Sequence, residues 1–279
     1  MDLGGEPILL LVHGQPGAGG DWAALAELLS SDHRVLAPDR PGWGSNPRPA
    51  TGIAANADAL NELLDAAAVQ SPVTVVGHSL GGGVALALAL RHPARVGALV
   101  LVGSVGVAGA LSGFDRLLAV PMVGSGILRA GVATLRRGLI TATRYSQRHP
   151  EAGVVKVVSA LSTVQAAVGR DGRPIVGRSR QSFLIEQRAL LAETPEIERS
   201  LCRIAAPTAV VAGASDHVVP VSAARLLAGC LPGAELVVLA GGHLLPFDRP
   251  ERIAEVVRRY SMLTCGVRDG RQQRETPGA

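Results

Sequence analysis

Short, almost uninterrupted apolar runs alternate with segments of helical period along most of this chain. Few other features restrict a fold so strongly. Ile8–Val12 is one such run and ends at His13-Gly14; Trp22, Leu25, Leu28 and Leu29 then recur at helical spacing. Arg34–Ala37 reads as a short strand, Ala54–Ala68 as a helix, Val73–Val76 as a strand, Leu80–Leu90 as a helix and Val96–Val102 as a strand. Strands without polar alternation are buried on both faces, which is the mark of a parallel sheet covered by crossover helices. The fold class is therefore α/β, a mostly parallel sheet flanked by helices.

From Gly103 to about Ala206 the pattern changes to helices broken by Gly and Pro, with no clear strand. Alternation then resumes with Thr208–Ala212 as strand, Val221–Ala228 as helix, Glu235–Leu239 as strand and Glu251–Tyr260 as helix. We read residues 1–103 and 207–260 as the core and 104–206 as an inserted helical lid over the carboxyl ends of the strands, where such sheets bind ligands. A frayed polar tail is expected over 261–279. The lid carries Phe114, Leu117, Leu118, Met122, Ile127 and Leu128, which point to an apolar acyl substrate.

Composition excludes several classes. A hydrophobic fraction of 47% rules out wholesale disorder. The longest apolar stretch, Val84–Leu90, is cut by Arg91, His92, Pro93 and Arg95, too short for a membrane span. The net charge of +4 invites a nucleic-acid reading, but the arginines are scattered and aromatic residues make up only 3%. A solvated basic surface is the better account, and no nucleic-acid partner is expected. Cys202, Cys230 and Cys265 have neither metal-like spacing nor an even count for a disulfide framework. Met1 is followed by Asp2 and Glu6 instead of a basic leader, so a cytoplasmic location is expected. Gly81-Gly82-Gly83 opens a helix without the Lys-Ser/Thr of a phosphate-binding loop. Neither a metal nor a cofactor is expected.

The most specific motif is Gly77-His78-Ser79-Leu80-Gly81, set between a strand and a helix. Flanking glycines permit a tight turn that lifts the serine hydroxyl above the sheet at a helix N-terminus. An alkyl hydroxyl needs a base before it attacks a carbonyl. Of seven histidines, His243 follows the last strand and reaches the same sheet edge. His78 is expected to pack beneath the turn, His13 to brace the loop after the first strand, and His217 to cap or brace its turn. His33, His92 and His149 read as surface or helix-end residues. Asp216, after Thr208–Ala212, is placed to orient the base. Ser79, Asp216 and His243 then form a nucleophile, acid and base at the ends of three strands.

On these residues the chain resembles the α/β-hydrolase family, in particular its lid-bearing serine hydrolases. The resemblance covers about residues 5 to 260 and extends to His13-Gly14-Gln15-Pro16-Gly17, Asp39–Ser45 and Gly213–Asp216. It implies an oxyanion hole formed by the backbone N–H groups of Gln15 and Leu80, and a rigid turn at Asp39–Ser45 that Trp43 could at most extend to the pocket edge. It also implies ester or related acyl hydrolysis. Peracid-forming haloperoxidases and carbon–carbon bond hydrolases share the triad and are the alternatives; a non-catalytic binding protein would lack His243. Haloalkane dehalogenases and epoxide hydrolases place aspartate where Ser79 stands. Such relatives begin with a strand hairpin, whereas only seven residues precede Ile8. Either the hairpin is missing or the start lies upstream, so the strand at Arg34 should form a sheet edge and favour a homodimer.

Overall fold

A computed structural model describes residues 6–120 and 175–272. Its centre is a six-stranded, wholly parallel sheet. The strands are β1 (Ile8–Val12), β2 (Arg34–Leu36), β3 (Val73–His78), β4 (Val96–Val102), β5 (Thr208–Gly213) and β6 (Glu235–Leu239), in spatial order β2-β1-β3-β4-β5-β6. The central strands β3, β4 and β5 are buried at every residue, while β2 and β6 at the edges are partly exposed.

Side chains of period two divide the core into two layers. Leu10, Val75, Leu99 and Val210 face α2 (Ile53–Ala66) and α3 (Leu80–Arg91). Leu9, Val76, Val100 and Val211 face α1 (Ala23–Leu29) and the long helix near the carboxyl end. From β1 the chain steps outward to β2 and then returns to place β3 on the other side of β1. The carboxyl ends of β1 and β3 thus form the switch point where open α/β sheets hold ligands. The loops that begin at His13 and Ser79 both leave from there.

Of the expected lid, the described residues contribute α4 (Gly113–Ala119) and α5 (Ile175–Ser200). Leu118 is buried and Leu117 is 44% exposed. Met122, Ile127, Leu128 and His149 lie outside the described residues, as does the Phe114 side chain. Helix α6 (Val221–Cys230) and the short α7 (Leu245–Asp248) follow, and α8 runs from Pro250 to Gln272. No helix among the described residues is long and apolar enough to cross a membrane.

Two expectations need correction here. Residues 261–272, expected to belong to a frayed tail over 261–279, continue α8, and His33 is a buried residue beneath it. The polar residues that looked solvated are paired inside: Ser261 Oγ lies 2.7 Å from His33 Nε2, and Thr264 Oγ1 lies 2.8 Å from Thr74 Oγ1. Because Ser261 Oγ donates to the Arg258 carbonyl, His33 Nε2–H is the donor of that pair. Deleting residues 261–279 removes the partners of two inward-facing polar groups, a loss of about 2–4 kcal/mol that lowers Tm by roughly 5–10 °C. Thermal denaturation of the truncated chain beside the full chain checks the outcome.

Candidate active site

Ser79 sits at φ +53° and ψ −121°, a backbone conformation that a residue with a Cβ rarely adopts. The surroundings enforce it. Ser79 N–H donates to the Val102 carbonyl at 3.0 Å, and the Ser79 carbonyl accepts from Gly82 N–H at 3.0 Å and Val105 N–H at 3.2 Å. Glycine is required on both sides. A Cβ on Gly77 would lie 2.6 Å from the Gly81 carbonyl oxygen, and one on Gly81 would lie 2.2 Å from that of Val12. The chain can therefore turn from a buried strand directly into a buried helix, with Ser79 at the first turn of α3. Strain of this kind is of order 1–3 kcal/mol and persists where neighbours over-determine it.

Asp216 and His243 come from the loops after β5 and β6. His243 Nδ1–H donates to Asp216 Oδ2 at 2.8 Å, which leaves Nε2 as the basic nitrogen. The other carboxylate oxygen accepts from Val218 N–H at 2.8 Å and Val219 N–H at 2.9 Å. Burial alone would raise the Asp216 carboxyl; the hydrogen bond and charge of His243, with the two N–H groups, more than reverse this and hold it ionised. The two loops are joined by Ala214 N–H on the Leu239 carbonyl and Ser215 N–H on that of Gly241.

These elements converge at Gly103, which directly follows the Val102 that anchors Ser79. A Cβ there would stand 3.2 Å from His243 Nδ1 and 3.3 Å from Asp216 Oδ2. His78, just before the nucleophile position, donates from Nε2 to the His243 carbonyl at 2.9 Å, and the two rings lie 4.9 Å apart. Burial and the nearby His243 lower His78 to about 4, so it is neutral at physiological pH and serves as a support. Among the described residues, Ser79 Oγ makes no hydrogen bond to His243; such bonds often tighten only when substrate is bound.

The loop after β1 packs on the same turn, since a Cβ on Gly14 would lie 3.1 Å from Ser79 Cβ. Neither the Gln15 nor the Leu80 backbone N–H is donated to an acceptor among the described residues. His13 is buried, accepts Arg40 N–H at Nε2 (3.0 Å) and donates from Nδ1 to the Gly14 carbonyl (2.9 Å). Burial and then Arg40 lower it to about 3. Asp39 closes its turn by accepting Gly19 N–H and Ser45 N–H, each at 2.7 Å. Trp43 is buried within that turn.

The other histidines among the described residues stand apart. His92 pairs with Asp58, and His217 is exposed and makes no capping bond among the described residues. No cluster of three potential metal ligands occurs among the described residues. Exposed apolar side chains, Val218, Leu244 and Phe247, adjoin Asp216 and His243 in sequence. Sequence reasoning missed Glu186, and it read Arg40 only as part of a turn. Arg40 is fully buried and ion-paired with Glu186 from α5. No local periodicity marks a contact between residues so far apart in the chain.

Comparison with known proteins agrees with this architecture. The sequence profile of the alpha/beta hydrolase family matches residues 9–256. An uncharacterized protein of Mycobacterium tuberculosis is 30% identical over 270 residues, which cover 92% of this chain and 76% of that protein. A 2-hydroxymuconate semialdehyde hydrolase of Pseudomonas putida is 31% identical over 259 residues, covering 90% of this chain and 85% of that one. Among solved structures, Est816, described as an N-acyl homoserine lactone degrading enzyme, superposes with a TM-score of 0.67 at 26% identity, covering 92% of this chain and 94% of that one. On the breadth of the profile match and the shared parallel sheet, the chain belongs to the alpha/beta hydrolase family.

Proposed function

We propose that the protein is a serine hydrolase that cleaves a carboxylic ester or a related acyl bond, such as a thioester or lactone, through an acyl-enzyme. The observation that carries this reading is the convergence of a strained Ser79 turn and a hydrogen-bonded Asp216–His243 pair at Gly103. His243 Nε2 takes the Ser79 hydroxyl proton as Oγ adds to the substrate carbonyl. Asp216 stabilises the imidazolium and fixes its tautomer. The tetrahedral oxyanion is held by the Gln15 and Leu80 N–H groups, each contributing about 3 kcal/mol in the transition state. Collapse of the intermediate passes the proton from His243 to the leaving oxygen. A water then attacks the acyl-Ser79 ester with His243 again as base, and the acid and free serine result. Likeness to a lactone-degrading enzyme supports acyl chemistry.

Carbon–carbon bond hydrolysis with the same three residues is the second reading, favoured by the 31% identity to a 2-hydroxymuconate semialdehyde hydrolase. Residues 104–206 act in either case as a lid. An apolar acyl or alcohol group is accommodated beside Val218, Leu244 and Phe247, which are exposed next to the acid and base.

Turnover of p-nitrophenyl esters of increasing chain length, set beside a vinylogous diketone substrate, separates the two chemistries. Ser79→Ala and His243→Ala should each reduce kcat by about 10⁴-fold or more with the fold intact, and the double variant should be scarcely worse. Asp216→Asn should lose less. Retention of near-normal activity in Ser79→Ala contradicts the assignment.

The pH profile offers a separate check. Burial holds His78 at about 4 and His13 at about 3, so both are almost wholly neutral above about pH 5. Neither His78 nor His13 should therefore steepen the acid limb of kcat/KM above about pH 5, and its slope should not exceed one. A slope of two above about pH 5 would contradict the neutral state of His78 and His13.

Chain-length selectivity should divide by burial. Leu244→Ala should raise KM for octanoate esters about threefold to tenfold and leave acetate unchanged, because a short acyl group covers little of that surface. Leu118→Ala, which empties a buried position, should instead lower Tm and weaken all substrates alike. Parallel measurement of kcat/KM and Tm on both variants decides.

A further inference from the structure

Arg40 and Glu186 are 0% and 1% exposed at their side chains, an unusual place for two charges. Buried ion pairs are weak evidence for stability, because apolar replacements often serve as well. The partners of the guanidinium supply a geometric reason. Arg40 Nε donates to the His13 carbonyl at 3.0 Å, and one terminal nitrogen donates to the Gly14 carbonyl at 2.8 Å. The other terminal nitrogen reaches Asn56 Oδ1 at 3.3 Å and Glu186 Oε1; Glu186 Oε2 accepts from the first at 3.2 Å.

The Gly14 carbonyl and the Gln15 N–H belong to one trans peptide unit. A planar trans peptide points its N–H opposite its C=O. Whatever fixes the Gly14 oxygen therefore aims the Gln15 N–H. That oxygen is held by two donors, Arg40 and His13 Nδ1 at 2.9 Å, and charge-assisted donation to the carbonyl also polarises the unit and strengthens its N–H as a donor. Helix α5 contributes twice more within a few residues. The Gln15 side chain donates to the Phe183 carbonyl at 2.8 Å, and Ser182 Oγ donates to the Gly42 carbonyl at 2.8 Å. Burial pushes the Glu186 carboxyl up, and Arg40 opposes this; Trp43 adds a weaker pull without closing a hydrogen bond of normal geometry.

We propose that Arg40 and Glu186 are positioning residues that aim the Gln15 N–H at the developing oxyanion, so that α5 sets the rate of acyl transfer as well as covering the core. Glu186 orients the guanidinium with a two-oxygen contact, and the guanidinium transmits that orientation to the Gly14–Gln15 peptide. The proposal rests on the acyl-transfer reading above. A second contact of α5 gives an internal control. Glu193 accepts Ile53 N–H at 3.2 Å and Ala54 N–H at 2.8 Å at the start of α2, away from the oxyanion loop.

The test compares Arg40→Lys, Glu186→Gln and Glu193→Gln in the full chain. Three quantities are read: kcat and KM on p-nitrophenyl butyrate, Ki for an aryl boronic acid that forms a tetrahedral adduct on serine, and Tm. Active sites are counted by the end point of labelling with a p-nitrophenyl phosphonate, so partial unfolding does not enter kcat. Arg40→Lys keeps the charge but loses the planar fork. It and Glu186→Gln should each lower kcat at least tenfold, keep KM within threefold and weaken the boronate by a factor similar to that in kcat. Glu193→Gln should lower Tm yet hold kcat within twofold. Equal kcat losses in the Glu186 and Glu193 variants, or an unchanged boronate Ki in the folded Glu186 or Arg40 variant, would overturn the proposal. Failure of the phosphonate to label the unaltered protein would instead overturn the acyl-transfer reading itself.

Discussion

A serine held at positive φ between a buried strand and a buried helix must be fixed from several sides, and the architecture around Ser79 follows from that demand. Backbone crowding at Gly77 and Gly81 lets β3 and α3 meet without side chains between them. The same turn is tied to β4 through Val102, and the residue after Val102 is the glycine against which Asp216 and His243 rest. The loop from β1 packs on it through Gly14. Parallel strand order makes this possible, because every strand delivers its following loop to the same edge. One strained residue thus sits where three loops converge.

Electrostatics at this edge is arranged to keep a single histidine available. His13 and His78 are desolvated and remain neutral, His13 holding backbone groups with both ring nitrogens and His78 holding the His243 loop with Nε2. Among the described residues, His243 alone combines partial exposure with a buried carboxylate on Nδ1. Asp216 is ionised despite burial because three donors share it. Ion pairing deeper in the structure, between Arg40 and Glu186, is joined through Arg40 to the His13 and Gly14 carbonyls of the loop after β1.

Local pattern made much of this legible, for a physical reason. Strand β4 is bounded in the structure where its apolar run begins and ends, because a strand buried on both faces has no polar residue to hide its limits. The turns after β3, β5 and β6 that carry Ser79, Asp216 and His243 are legible because glycines at turns after strands leave a signature in sequence. Residues whose role depends on a distant partner leave none. Ser261 and Thr264 look like a solvated tail until His33 and Thr74 are placed opposite them, and Glu186 looks like one more acid on a polar helix until Arg40 meets it. Polarity in sequence marks the need for a partner; it does not say whether the partner is water or protein.

The central claim is that Ser79 carries the acyl group. Its most direct measurement is intact and peptide mass spectrometry after rapid acid quench of the protein mixed with p-nitrophenyl acetate, run beside Ser79→Ala. The account predicts a burst of nitrophenolate of one equivalent per active site and a single acetyl adduct on the peptide containing Ser79, both absent from the variant. Steady turnover without a burst or adduct at Ser79, or an adduct at another residue with undiminished activity in Ser79→Ala, would contradict it.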